Sequence, residues 1–304
     1  MVAEISTADT IPKIQQQGLE HSKSMNALAL RSLLHRPGPM LGLAVLVLVG
    51  LLVILAPVVT PYEPDKLNPP DALQGPTLKH PFGTDQFGRD QLTRILYGGR
   101  LSLMVGLLSV AIGLGVGLLA GSAAGYFGGW LDELIGRIVD VMMAFPGILL
   151  AMAIVAILGI STTNLLIAIG ISSIPAFTRL IRGGVLGTKE NDYVLAARCI
   201  GCKDQTIVRG HIIPNIMAPI LVYATLGIAT AILASASLNF LGMGAKPPTP
   251  EWGLMLSESR SFIRSAWWLA AFPGLAIMAV VISINLLGDG LRDAFDPWMK
   301  GKGG

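Results

Sequence analysis

Cys199 and Cys202 stand at C-x-x-C spacing, which can serve as a redox pair or as half of a zinc site. A zinc site needs about four ligands, and His211 is the one other candidate nearby. The two thiols therefore read most simply as small reduced side chains that pack. Asp140 needs more explanation, because it falls inside an apolar run with Arg137 three residues earlier on the same helical face. A charge there is costly unless it is paired or set against a wet cavity. The spacing predicts a local Asp140 to Arg137 ion pair, with a pathway or gate role as the alternative. Asn239 and Asn285 pose the same question more weakly, since either could line a path or hydrogen-bond across helices. There is no G-x-x-x-x-G-K-[ST] phosphate loop, no H-E-x-x-H and no G-x-S-x-G, and two of the four histidines lie in the N-terminal segment. No bound metal or cofactor and no enzymatic chemistry are expected of this chain alone.

The elements that must position these residues are membrane spans. With 52% hydrophobic and 13% charged residues over 304 positions, and a mean hydropathy of +0.64, the chain is too apolar for an ordinary soluble domain. The apolar residues gather into blocks that could each cross a core of about 30 Å as a helix of about 20 residues. Six spans are expected: 41–60, 101–125, 134–158, 165–181, 216–241 and 268–288. The fourth is the shortest and is interrupted by Pro175. Counting Lys and Arg with the N-terminus in the cytoplasm puts fourteen of the 22 inside and eight outside, the expected bias. The net charge of +3 carries no message about nucleic acid.

The second span carries a packing signal. Ser109, Gly113, Gly117, Gly121 and Gly125 recur every four residues as one smooth stripe, which lets helix backbones approach closely. The third and sixth spans hold near-copies, Phe145-Pro146-Gly147-Ile148 and Phe272-Pro273-Gly274-Leu275, which are candidate kinks. Residues 61–100 form the largest extracytoplasmic piece, in which Gly83, Thr84, Asp85, Gly88 and Asp90 suit a capped turn ahead of a helix. Residues 242–267 form a second external loop, with a helix expected over 251–263 and Trp252, Trp267 and Trp268 expected at the membrane interface. A polar tail and an amphipathic helix over 25–36 fill residues 1–40, and 289–304 make a cytoplasmic ending with Asp289, Arg292, Asp293 and Asp296.

The polar, basic stretch from Asp192 to Asn215 lies on the cytoplasmic side of that topology, within a loop running from 182 to 215. It reads as a helix from Tyr193 to Cys199, a break at Gly201, a second basic helix, and Pro214 opening the next apolar run. This stretch resembles the coupling loop of importer-type ABC permeases: Glu-Ala-Ala, three residues, Gly, nine residues, Ile-x-Leu-Pro. Ala196, Ala197, Gly201 and Pro214 fall at the family's offsets, while Leu195, His211 and Ile213 replace its Glu, Ile and Leu. The segment from His80 to Leu103, the PPTPEWG run from Pro247 to Gly253, and the ending from Asp289 to Pro297 are similar to markers of the peptide and nickel branch.

The resemblance spans roughly 25–300 and implies an all-α polytopic membrane protein with the six transmembrane helices of the type I ABC importer fold. It implies the permease subunit of a dipeptide or oligopeptide importer in a bacterial inner membrane. The implied partners are a homologous second permease, two ATPase subunits that carry ATP and Mg, an extracytoplasmic substrate-binding protein and the lipid bilayer. The loop around 192–214 would dock the ATPase through Tyr193, Ala196, Ala197, Arg198, Gly201, Lys203, His211 and Pro214. Import of glutathione, nickel or another small solute is the alternative within the class. Outside it stand a proton-coupled carrier that titrates Asp140 and a membrane scaffold.

Overall fold

The computed structural model describes residues 36–295. The amphipathic helix expected over 25–36 and the end of the chain past 295 lie outside the described residues, apart from Arg36. Eleven α-helices are found among them. α1 (Pro37–Ile54) and the single turn α2 (Ala56–Val59) form the first apolar run. α3 (Gln91–Phe127) is followed by α4 (Gly129–Met143), α5 (Gly147–Leu158) and α6 (Thr162–Thr188). α7 (Asp192–Cys199) and α8 (Asp204–Ile207) make the polar loop. α9 (Ile213–Phe240), α10 (Trp252–Ser259) and α11 (Trp268–Phe295) complete the chain. Five helices are long and apolar enough to cross a membrane, or six if the bent pair α4–α5 counts as one.

The centre of the bundle is the α3–α6 pair. A Cβ on Gly117 would stand 2.5 Å from Phe177 Cβ, one on Gly121 2.7 Å from the Thr178 carbonyl, and one on Gly125 2.8 Å from Val185 Cβ. Gly113 lies against Ser173 on the same face. The stripe is thus filled by a helix of this chain, and Ser109 Oγ donates to Leu166 O (2.9 Å) where it begins. Lipid gives apolar helices little reason to associate, so close backbone approach supplies the cohesion. α1 approaches α11 in the same way through Gly42, opposite Ser283 O, and Arg36 pairs with Asp293.

The prolines behave differently from one another. Pro146 divides the third span: α4 and α5 meet at 91°, so the expected kink is a break. Proline disfavours helical backbone at Phe145 before it and donates no hydrogen bond of its own. Pro273 lies inside unbroken α11, where the carbonyl it leaves unpaired, Leu269 O, accepts from Gln91 Nε2 at 3.3 Å. Pro175 does not interrupt the fourth span either, and α6 runs through it for 27 residues. Ser172 and Ser173 donate to Ile169 O and Gly170 O in the turn before it, while the carbonyl that the proline leaves without its usual donor is that of Ile171.

At the α10 end, residues 61–90 and α10 fold into one cap on the bundle. Asp90 caps α3, accepting from Thr93 N (2.8 Å), and its other oxygen meets His80 Nδ1 (2.8 Å). Glu251 caps α10 through Leu254 N (2.8 Å) and accepts from Ser102 Oγ (3.0 Å). Trp252, only 1% exposed, donates to Ile95 O (2.9 Å), and Trp268 donates to Thr84 O (3.1 Å). These two tryptophans are core struts of the cap instead of interface anchors, whereas Trp267, the third expected at the interface, is exposed. Beneath them Asp85, Arg89, Arg94 and Glu258 form a buried charge cluster. Asp85 holds Arg89 at 2.5 Å, and Glu258 lies 3.5 and 3.6 Å from the two guanidinium groups. Arg94 also donates to Pro64 O (3.0 Å) and Pro248 O (3.2 Å), which ties both external loops to α3.

Candidate functional site

The polar loop at the opposite end is built from the bundle outward. Val194 (0% exposed) and Ala197 (5%) face inward and join the core formed by α3, α6 and α9. Tyr193, Leu195, Ala196 and Ile200 face outward. Ala197 therefore supports α7 from behind, whereas the sequence reading placed it with Ala196 on the docking face. Ile200 is 80% exposed, a large apolar side chain at the tip of a polar loop that the sequence reading passed over. Its signal was available: an isoleucine directly before the turn glycine has no helical face to hide on.

Gly201 turns the chain at φ +79°, a left-handed conformation that strains other residues, and the space around it is open. Cys199, exposed, and Cys202, half-buried, are free thiols on either side of that turn. Lys203 is exposed and stands at the N-cap position of α8. The expected second basic helix begins with the single turn of α8 and continues into α9 without a break. A five-residue π turn, Val208–Ile212, joins it to α9 and holds His211, half-buried. Pro214, exposed at the start of α9, cannot donate back along the helix, and a widened turn before it is a common accommodation.

The loop is fastened to the end of α3. Lys189 Nζ donates to Gly125 O (3.0 Å), Tyr126 Oη donates to Asp204 Oδ1 (2.6 Å), and the Arg198 guanidinium lies 5.0 Å from the centre of the Tyr126 ring. Neither Tyr126 nor Asp204 was singled out from sequence. A tyrosine at a span end reads as an interface residue, and its partner is 78 positions away.

A second polar region lies between α4 and α6, around a cleft of ≈530 Å³ lined by both helices. Asp140 pairs with Arg179 of α6 at 2.6 Å, not with Arg137, which pairs with Glu133 one turn back. The bend at Pro146 and the course of α4 across α6 bring Asp140 to Arg179, which spacing along one helix could not show. Arg182 grips Asp132 with two bonds of 2.5 and 2.7 Å. Val139 is the only buried residue of α4, so these ion pairs are its main attachment to α6.

Asn239 is fully buried and closes its own helix end, donating to Ser235 O (3.0 Å) and accepting from Ala245 N (2.6 Å). It does not bridge to another helix. Asn285 sits on the exposed face of α11. The structure thus brings Asp140 to a charged cleft and leaves Asn239 and Asn285 apart from it.

A bundle of five or six candidate spans, a polar helix–glycine–helix loop and a stapled external cap define a transporter membrane subunit. The family model for the inner membrane component of binding-protein-dependent transport systems matches residues 113–301, and that for the N-terminal transmembrane domain of oligopeptide transport permease C matches residues 24–76. The chain belongs to this family: it is a multi-pass, non-catalytic permease subunit of a bacterial ABC importer, which works with ATPase and binding-protein partners. It is 54% identical over 259 residues to the dipeptide transport system permease protein DppC of Alkalihalophilus pseudofirmus, covering 85% of each chain. It is 46% identical to the di/tripeptide permease DppC of Pseudomonas aeruginosa, covering 89% of this chain and 91% of the relative. Identity to the glutathione permease GsiD of Escherichia coli is 48%, with 84% of each covered. The fold is shared with an inward-facing structure of the MetNI methionine ABC transporter (TM-score 0.55, 18% identity, 66% of this chain and 96% of that one). Membership in an ATP-driven family removes the proton-coupled carrier and the scaffold from consideration.

Proposed function

We propose that this chain is one of two homologous permease halves of a dipeptide or oligopeptide importer in a bacterial inner membrane, with both termini in the cytoplasm. Two ATPase subunits carrying ATP and Mg would engage the α7 loop, and an extracytoplasmic binding protein would deliver substrate to the cap. The 54% identity to a dipeptide permease over 85% of both chains is the observation that carries the substrate class.

The docking face consists of Tyr193, Ala196, Lys203 and Ile200. The small Ala196 lets a partner surface approach, Gly201 makes the turn, and Arg198 is held back against Tyr126. ATP binding would draw the ATPases together and move α7. Because α3 and α6 interlock along the glycine stripe, they would tilt as one body and switch the central cavity between its two openings. Arg179 lies about 25 Å along α6 from Thr162 at ~1.5 Å per residue, toward the cytoplasmic edge of an apolar layer of about 30 Å. Charges that stay exposed there must face water or another subunit, which supports a pathway or gate role for Asp140 and Arg179.

The test is a mild-detergent pull-down of the tagged chain from its host with mass spectrometry, followed by uptake in proteoliposomes. Recovery of a second permease, two ATPases and a binding protein, with dipeptide-stimulated ATP hydrolysis, is expected. Recovery of the chain alone would refute the assembly. A second reading, glutathione import, is favoured by the 48% identity to GsiD; competition of labelled dipeptide uptake by glutathione separates the two.

A further inference from the structure

We propose that Tyr126 is the positioning residue that passes movement of the coupling loop to α3, a reading that rests on the coupling role given to that loop above. The loop leaves α6 at Thr188 and re-enters the bundle at Ile213, and between those points a side chain added at the Gly201 turn would meet no neighbour within 4 Å. Tyr126 stands behind the turn. Its ring supports Arg198 from the end of α7, and its hydroxyl holds Asp204 at the start of α8. One side chain therefore spans both limbs of the turn, while its backbone is the last full turn of α3.

The neighbourhood of Tyr126 leaves little slack. Its own ring is buried in the core with Val194, Ala197 and Ile207 from the loop. The adjacent Gly125 is pressed against Val185, and its carbonyl accepts from Lys189 at the head of the loop. A push on α7 meets α3 at Gly125 and Tyr126, and meets α6 only through the connecting backbone and the shared core. α4 holds none of these contacts. Arg198 and Asp204 are both solvent-exposed residues whose contact here is Tyr126, so without it each could hydrate separately and the two limbs could flex about Gly201 independently. The phenol is suited to this place: a rigid apolar body packs in the core while its polar tip reaches the loop.

Tyr126→Phe removes one hydroxyl and keeps the ring. In the complete transporter in proteoliposomes, basal ATP hydrolysis and subunit stoichiometry are expected to stay unchanged. Substrate transported per ATP is expected to fall roughly three- to tenfold, the range one hydrogen bond supplies. Asp204→Ala should produce the same fall, the double variant no further fall, and Asp204→Asn, which keeps an acceptor oxygen, should restore most of the ratio. A purely structural tyrosine would instead lower the amount of assembled complex and its melting temperature at an unchanged ratio, and that result would overturn the proposal. Gly201→Asp is the control for the underlying reading. If it uncouples the transporter while Tyr126→Phe does not, the strut is refuted alone; if neither uncouples, the coupling role of the loop falls with it.

Discussion

Replacing Gly121 by alanine tests whether the α3–α6 stripe is the mechanical centre of the subunit. The new methyl carbon would stand 2.7 Å from a backbone carbonyl, Thr178 O, and 2.9 Å from Ile181 Cβ. That is roughly 0.7 Å inside the 3.4 Å at which ordinary contact begins, and neither neighbour is the free end of a flexible side chain. The helices must part, which costs about 1–3 kcal/mol for overpacking. Alanine returns about 0.5–1 kcal/mol through its better helix propensity, so a net loss of about 0–2.5 kcal/mol remains, centred near ~1 kcal/mol. Gly115 lies on the same helix but faces open space, so Gly115→Ala should be neutral or slightly stabilising. Gly113→Ala should fall between the two, because its nearest obstacle is the Ser173 hydroxyl, which can rotate away. The assay is thermal unfolding of the three variants in one detergent, with reconstituted transport measured in parallel. If Gly121→Ala and Gly115→Ala melt together, the α3–α6 approach is not tight in the assembled protein and the reasoning fails.

Two further outcomes follow from the cap and the cleft. Burial pushes the Glu251 carboxyl above its ordinary 4.5, and burial does the same to Glu258 against the opposing pull of Arg94 and Arg89. The folded protein therefore binds these protons more tightly than the unfolded chain, so their contribution to stability falls as pH rises from about 4.5 through the raised values. Asp71 has the opposite sign, because the Lys79 hydrogen bond lowers it below 3.8. Melting scans from pH 4.5 to 8 should show a flatter profile for Glu251→Gln with Glu258→Gln than for the parent, and an unchanged slope would count against this account. At the cleft, both Arg179→Ala and Arg182→Ala should leave the fold intact, since exposed ion pairs contribute up to about 1 kcal/mol each. Together they should free α4, so that a cysteine placed at the buried Val139 reacts with maleimide several-fold faster; equal rates would show that other contacts hold α4.

The spans, their order and the polar loop were legible in the sequence, because apolar runs long enough to cross a bilayer leave few alternatives and Gly201 and Pro214 punctuate the loop between them. The cap at Asp90 was legible too, as a local hydrogen bond between neighbouring positions, whereas Glu251, expected as the first residue of its helix, is its cap. What failed to appear was whatever depends on two distant segments meeting. Spacing offered Arg137 to Asp140, and the chain gave it Arg179 instead, because a 91° bend decides what α4 lies against. Two similar Phe-Pro-Gly sequences became a break and an unbroken helix, and in the second the freed carbonyl of Leu269 accepts from Gln91, far away in sequence. Tyr126 and Asp204 carry no pattern in sequence at all. Local periodicity and propensity determined the elements of this protein; only tertiary packing decided which charges, carbonyls and glycines would be satisfied by one another, since that satisfaction is a property of pairs that the linear order does not record.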